Sequence, residues 1–390
     1  MKMTKPLFCV FIISTGFWLG CSSSHPWKDA TVLSRPARIR PDYSGIIIPP
    51  NIAPLNFRIE EPGFQYRVEI RGPAEPSIEI QGKSPVIRIP MNAWKRFLLA
   101  NKGSSYQVEI YLEDSIGHWL RFSSITNQIA QDSIDSYLAY RRMGSLYSYW
   151  KKMGIYQRCL ENFRESTIFV NRLTENNCMN CHHFCNNNPE RWLIHFRGGP
   201  GTAMLLTLGN KAYKIDTKTS FNRPVAYPAW HPSGNFVAFS FNRLLLFFHS
   251  IGEPRDVLDQ ASDLVIYNIP TNTITTSSQI ASPERMENWP AWSPDGKYLY
   301  FSSAPKIETY EDPSKPPSQP EHLSYNRIQY DLMRVPFDEK SETWGKLELV
   351  LYGSKVRGSI NQPRISPDGN FVLFTVSAYG NFPIYLSSSD

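Results

Sequence analysis

The run Asn177-Cys178-Met179-Asn180-Cys181-His182-His183-Phe184-Cys185 gathers most of the side chains in this sequence that could do chemistry. Cys-x-x-Cys-His is the covalent attachment pattern for c-type haem. Two thioethers take the vinyl positions of the porphyrin, and the next residue presents an imidazole to the iron. On that reading Cys178 and Cys181 are the thioether donors and His182 is the axial ligand. Other chemistry fits the same residues. Cys178, Cys181 and Cys185 with His182 or His183 suit tetrahedral zinc. In an exported protein the thiols, Cys159 among them, could instead form disulfides. A redox dithiol normally sits at a helix N-terminus in a thioredoxin-like βαβ setting, and no such pattern flanks this run. Met143, Met153, His195 and Met204 are candidates for a distal haem ligand, and nothing in the sequence selects among them.

Covalent haem attachment requires export, and the N-terminus reads as an export signal. Lys2 and Lys5 precede a mainly apolar run from Leu7 to Leu19, 13 residues long. About 20 apolar residues are needed to span a bilayer as a helix, so the run reads as a secretory signal. Leu19-Gly20-Cys21 followed by three serines resembles a bacterial lipobox, with Trp18 where Leu is commonest. That resemblance implies lipidation at Cys21 after removal of 1–20 and anchoring of the chain to a membrane surface. The expected location is the outer membrane of a Gram-negative envelope, on a side the sequence does not specify. Residues 21–45 read as a polar, proline-containing tether.

Elements that could position the Cys-His run lie on both sides of it. From 46 to 125 apolar residues alternate with period two, as in Tyr66-Arg67-Val68-Glu69-Ile70 and Tyr106-Gln107-Val108-Glu109-Ile110. Turn residues separate these runs at short intervals, which predicts an antiparallel β-sandwich of fibronectin-III-like type. From 126 to 175 the spacing of Ile134, Tyr137, Leu138 and Arg141, then Leu146, Tyr149, Trp150 and Met153, then Tyr156, Cys159, Leu160 and Phe163, predicts a short helical linker. The Cys-His segment occupies 176–192, and β-patterning resumes over 193–390.

There the sequence repeats. Tyr227-Pro228-Ala229-Trp230-His231-Pro232-Ser233-Gly234 is echoed by Trp289-Pro290-Ala291-Trp292-Ser293-Pro294-Asp295-Gly296 and by Gln362-Pro363-Arg364-Ile365-Ser366-Pro367-Asp368-Gly369. Each copy runs into an alternating strand. Pro and Gly preset a turn, so each copy predicts a hairpin. Asp263-Leu264-Val265-Ile266-Tyr267 and Asp331-Leu332-Met333-Arg334-Val335 predict a later strand of the same sheets. His231, in the slot of Ser293 and Ser366, reads as a turn residue, as does the Gly-rich run from Arg197 to Thr202.

These three copies resemble the WD40-like repeats of TolB-type β-propellers, over 190–390. The order of signal, β-module, Cys-x-x-Cys-His and repeats resembles exported proteins often labelled cytochrome c biosynthesis or TolB-like translocation proteins. Asn51 to Phe57 and Asn177 to His182 carry that second resemblance. The resemblance to TolB-type propellers implies a propeller whose face docks a protein partner. Three copies fall short of the usual ring of at least four blades, so the domain is incomplete, closes unusually or takes a partner strand.

Composition closes off several classes. The 390 residues are 41% hydrophobic with 31 Pro, 20 Tyr and 22 Phe, which excludes wholesale disorder and favours strands. The formal charge of +6 is spread along the chain and leaves no nucleic-acid footprint. No Gly-x-Ser-x-Gly occurs, so there is no nucleophile-elbow hydrolase; a hydrolase or lyase using the propeller loops has no motif behind it, and the enzyme question stays open, leaning to no. The expected protein is mainly β, lipid-anchored and haem-bearing, for electron transfer or redox sensing. The rival is an envelope scaffold binding a protein, peptide or glycan, with the cysteines structural, bound to zinc or to nothing.

Overall fold

The computed structural model describes residues 26–143, 153–197, 202–221, 225–246, 254–255, 257–306, 328–378 and 384–385. Of residues 180, 181, 244–246, 254, 255, 257, 258, 260, 384 and 385 it describes the backbone only. The signal, Cys21, the Leu146–Trp150 stretch and the glycine run at 198–201 lie outside the described residues. The chain is mainly β and divides into two compact units, 1–138 with 158–165, and 139–157 with 166–390.

In the first unit the strands Gln65–Arg71 and Ser105–Glu113 pair antiparallel at the centre of a seven-stranded sheet. Two short pairings in that sheet are parallel, Thr31–Val32 with Trp119–Arg121 and Ile125–Ile129 with Ile47–Ile48, so the sheet is mixed. A second sheet joins Ile39–Arg40, Phe57–Ile59 and Val86–Ile87. The helix Met91–Ala100 was not expected inside this β-module. Its signal is Trp94, Phe97 and Leu98 at i, i+3 and i+4, an apolar stripe that the helix buries. Trp94, Phe97 and Tyr106 pack with ring centroids 5.9, 6.1 and 5.7 Å apart and centre the core.

The helical linker is corrected by the structure. The described part of 126–175 holds strands at Tyr137–Arg142, Gly154–Cys159 and Glu165–Val170, in one three-stranded sheet. Helical spacing of a few aromatic residues competed here with strand-forming residues such as Ile155, Tyr156, Ile168, Phe169 and Val170, and cross-strand pairing decided. Tyr140 stacks on Tyr156 at 6.4 Å, and the Arg142 guanidinium lies 4.2 Å from the Tyr156 ring centre.

The second unit also holds a series of antiparallel sheets. Cys178–Cys185, Asn188–Arg197, Ala203–Leu208 and Lys211–Ile215 form the first. Ala226–Trp230, Phe236–Leu246, Val257–Asn268 and Thr273–Thr275 form the second. Arg285–Trp292, Tyr298–Pro305 and Asp331–Asp338 lead the third, and Ser359–Ile365 with Val372–Ser377 make the fourth. Each sequence repeat is thus a hairpin, and both Asp-Leu echoes are third strands of their sheets. The first strands of successive sheets touch in chain order. Val237, Phe239 and Val265 of the second sheet pack on Leu193, Met204 and Leu206 of the first. Phe236 and Ala238 pack with Trp292, Leu299 and Phe301 of the third.

Candidate functional site

The first strand of every sheet in this series breaks register at the same place. The shift falls between Ala226 and Ala229, between Asn288 and Ala291, and between Asn361 and Arg364. In each the second residue is left-handed and precedes a proline: Tyr227 (φ 48°), Trp289 (φ 50°) and Gln362 (φ 52°). A non-glycine residue adopts that conformation only when its surroundings hold it there. At Trp289 the hold is visible, since its backbone N–H donates to Asn288 Oδ1 at 2.9 Å.

The Cys-x-x-Cys-His run occupies the same bulge of the first sheet. Its register shifts between Asn180 and His183. Asn180 therefore takes the place of Asn288 and Asn361, Cys181 that of Trp289, and His182 that of Pro290. Bulges re-aim side chains and recur beside functional sites. The sequence shows three copies, and the first sheet, which starts at Cys178, adds one more of the same build. The signal was present but thin: Asn180 and Phe184 match Asn288 and Trp292 in spacing, while the proline and the Pro-x-Gly turn are missing. That turn is replaced by Asn186 and Asn187, both left-handed (φ 49° and 57°), as a two-residue hairpin requires.

His182 is half-buried, and its imidazole hydrogen-bonds the backbone of Ala139. Burial lowers its pKa and that bond raises it. The ring meets Phe184 edge-on at 6.3 Å, and Phe184 packs on Trp192 at 5.8 Å. Half-buried Cys178 packs beside the apolar cluster of Met153, Ile155, Met179, Ile194 and Phe196. Of Cys181 the structure gives only the register position.

The remaining candidates fall elsewhere. Cys185 is a buried free thiol in a different cluster, with Leu193, Trp230 and Phe239, and burial raises its pKa. His183 is held neutral, its pKa pushed down to about 4 by burial, and its carbonyl accepts the Trp230 indole N–H at 3.1 Å. Among the described residues no three His, Cys, Asp or Glu side chains converge as metal ligands. Cys159 belongs to the first unit, where it accepts from Asn162 Nδ2 at 3.1 Å.

Of the four distal candidates, Met153 is buried and its sulfur accepts the Met179 N–H at 3.1 Å. Met204 is fully buried in the cluster that holds Cys185. His195 is buried edge-on against Phe239 at 5.4 Å, and neither ring nitrogen has a partner among the described residues. Burial pushes its pKa down to about 3. Met143 alone is half-buried, against the cluster beside Cys178. His231 sits in its turn, with Nδ1 2.8 Å from Ser233 Oγ and Nε2 3.1 Å from the Gly296 carbonyl.

Sequence reasoning missed a buried polar knot beside the third-sheet bulge. Asp259 accepts from Tyr330 Oη at 2.8 Å, Asn288 Nδ2 at 2.9 Å and Asn242 Nδ2 at 3.0 Å. Ser240 Oγ donates to Asn288 Oδ1 at 3.0 Å. The five side chains come from separate stretches of sequence, so no local pattern announces them.

No protein-family model matches the chain, and no curated protein matches it. Among solved structures it is similar to a GH74 enzyme from Niastella koreensis, with 11% identity and a TM-score of 0.38 over 62% of this chain and 32% of that one. It thus spans about a third of that enzyme's length. It is also similar to hydrazine synthase of Kuenenia stuttgartiensis, with 11% identity, a TM-score of 0.32 and 70% of each chain covered. A third similar structure is the Dos1 propeller, with 10% identity, a TM-score of 0.30, and 70% of this chain and 73% of that one covered.

Proposed function

We propose that the bulge at Asn180–His183 is a covalent c-type haem site, with Cys178 and Cys181 as thioether donors and His182 as axial ligand, in an exported protein anchored through Cys21. The observation that carries this reading is the hydrogen bond between the His182 imidazole and Ala139. Metal-binding histidines are commonly held this way, one ring nitrogen fixed by a backbone carbonyl so that the other presents its lone pair. The setting fits a haem edge in a second respect: Phe184 meets the imidazole and packs on Trp192, and Trp192 and Cys178 both lie against one apolar cluster. Haem would supply one-electron chemistry here. This chain's part is to hold the imidazole in one tautomer and to wall the site with apolar side chains.

The sheet series is read as blades of a propeller, whose bulged inner strands place Cys181, Tyr227, Trp289 and Gln362 in equivalent positions. In that frame the protein transfers electrons or senses redox state at the envelope, with a protein partner on the propeller face. The first unit is read as a fibronectin-III-like spacer. Haem is favoured over zinc because Cys178 and Cys185, both needed for the zinc set, pack in separate clusters.

The test is a pyridine haemochrome spectrum of the protein exported in a host with cytochrome c maturation machinery. A c-type α-band at about one haem per chain, lost in Cys178→Ala and Cys181→Ala, is the expected result. A folded, exported protein without that band overturns the reading and leaves the envelope scaffold.

A further inference from the structure

The fourth sheet differs from the second and third in one respect that points outward. In those two, the hairpin's second strand is covered along its far edge by a third strand. Phe236–Leu246 pairs with Val257–Asn268, and Tyr298–Pro305 with Asp331–Asp338. In the fourth, Val372–Ser377 pairs only with Ser359–Ile365 among the described residues. Exposure follows: Phe371 is 71% exposed where its counterpart Phe236 is 4%, and Leu373 is 75% exposed where Ala238 is 0%.

Natural edge strands are blunted by charge, proline or a bulge. Val372-Leu373-Phe374-Thr375-Val376-Ser377 has no charged residue, no proline and no register break after Arg364. It is built like an inner strand and, among the described residues, has one edge open.

The same chain shows twice what sits on such an edge. The covering strands are Asp263-Leu264-Val265-Ile266-Tyr267 and Asp331-Leu332-Met333-Arg334-Val335, both antiparallel. Their registers agree: Leu264 faces Ser240 as Leu332 faces Ser302, and Val265 faces Phe239 as Met333 faces Phe301. The leading aspartate meets a cation in both, Asp263 with Lys306 at 3.9 Å and Asp331 with Arg285 at 3.5 Å. Arg285 opens the first strand of its sheet. Just before the first strand of the fourth sheet stand Lys355 and Arg357, both exposed.

We propose that the open edge of Val372–Ser377 docks an extended segment of a partner protein as an antiparallel strand, of the pattern Asp-Leu-apolar-x-apolar. Leu would lie opposite Thr375 and the next apolar residue opposite Phe374, with the aspartate toward Arg357. Main-chain hydrogen bonds would give affinity, and Phe371, Leu373 and Arg357 would select the sequence.

The probe is a fluorescein-labelled peptide with the sequence of residues 262–269, titrated into the full chain and read by anisotropy. A scrambled peptide is the control. Saturable binding of the ordered peptide is expected, weakened at least about tenfold by Leu373→Lys and by Arg357→Glu, both at exposed positions. A peptide with Lys in place of the leading Asp should recover binding to Arg357→Glu. Equal binding of the scrambled peptide, or no effect of Leu373→Lys with Tm unchanged, overturns the proposal. So does a concentration-dependent dimer, seen by light scattering, that Leu373→Lys abolishes, because the occupant is then a second copy.

Discussion

Two bulges in this protein share a backbone and differ in chemistry. At Asn288–Ala291 the bulge carries Trp289 and Pro290 and is closed on all sides. Trp289 packs on Tyr227 at 6.1 Å and Tyr330 at 5.5 Å, and Asn288 ties the loop to buried Asp259. At Asn180–His183 the proline is replaced by His182, half-buried and bound to Ala139, and the aromatic by Cys181. One bulge, the plug, ties its asparagine into a buried hydrogen-bond network. The other holds a half-buried imidazole tied to Ala139. The same bulge recurs in both, and the residues placed on it differ.

The sharpest way to break this comparison is to turn one bulge into the other. His182→Pro is expected to leave a folded protein, since proline already occupies the equivalent position in three sheets, but to abolish covalent haem in the haemochrome assay. If haem is still attached, His182 is not the ligand that matters. The reverse is expected at the plug. Asp259→Ala leaves Tyr330, Asn288 and Asn242 without their shared acceptor in a buried site. Urea unfolding should show a loss of about 3 kcal/mol, with Tyr330→Phe costing about 1–2. Haem content per folded chain should not change in either variant.

The sequence made some of this plain and left some of it hidden, for physical reasons. The three Pro-x-Gly hairpins and the Asp-Leu strands were legible because turn chemistry and period-two alternation are local. The sheet beginning at Cys178 was not, because its bulge lacks proline and its turn is Asn186-Asn187. The strands over 137–170 were misread as helices, since aromatic spacing alone cannot separate two periods when cross-strand partners such as Tyr140 and Tyr156 lie far apart in sequence. The Cys-His candidates were all visible. Their sorting into a half-buried His182, a buried Cys185 and a buried His195 needed the fold, which no spacing encodes.

Acid sharpens the contrast on the side of the Cys-His sheet. His183 and His195 are held neutral, with folded pKa values near 4 and 3, while the unfolded chain titrates near 6.5. Unfolding therefore takes up protons below about pH 6.5, and stability is full above that pH and falls as pH drops toward the folded values. Each group should cost about 1.4 kcal/mol per pH unit, so unfolding midpoints in urea should drop between pH 6.5 and 5. His195→Phe, which keeps an aromatic edge against Phe239, should flatten that slope. An unchanged slope would show that the imidazole finds a partner at acid pH.

The last expected effect has the opposite sign and belongs to the third sheet. Burial raises the pKa of Glu287 to about 7, with Asp263 adding repulsion. Its folded pKa lies above its unfolded value of 4.5, so unfolding releases a proton between the two, and stability falls as pH rises from about 4.5 to 7. Glu287→Gln removes the ionisation and keeps an acceptor for the Ser282 N–H, now 3.3 Å from Glu287 Oε2. The variant should match the parent near pH 4.5 and exceed it by up to about 3 kcal/mol at pH 8. If Glu287→Gln is instead weaker at pH 8, the carboxylate is ionised in the fold and stabilised by Lys306 and Arg285. That outcome would make this corner a charge-paired site like the strand-opening aspartates, and the hydrogen-bonded plug would be confined to Asp259 and its donors.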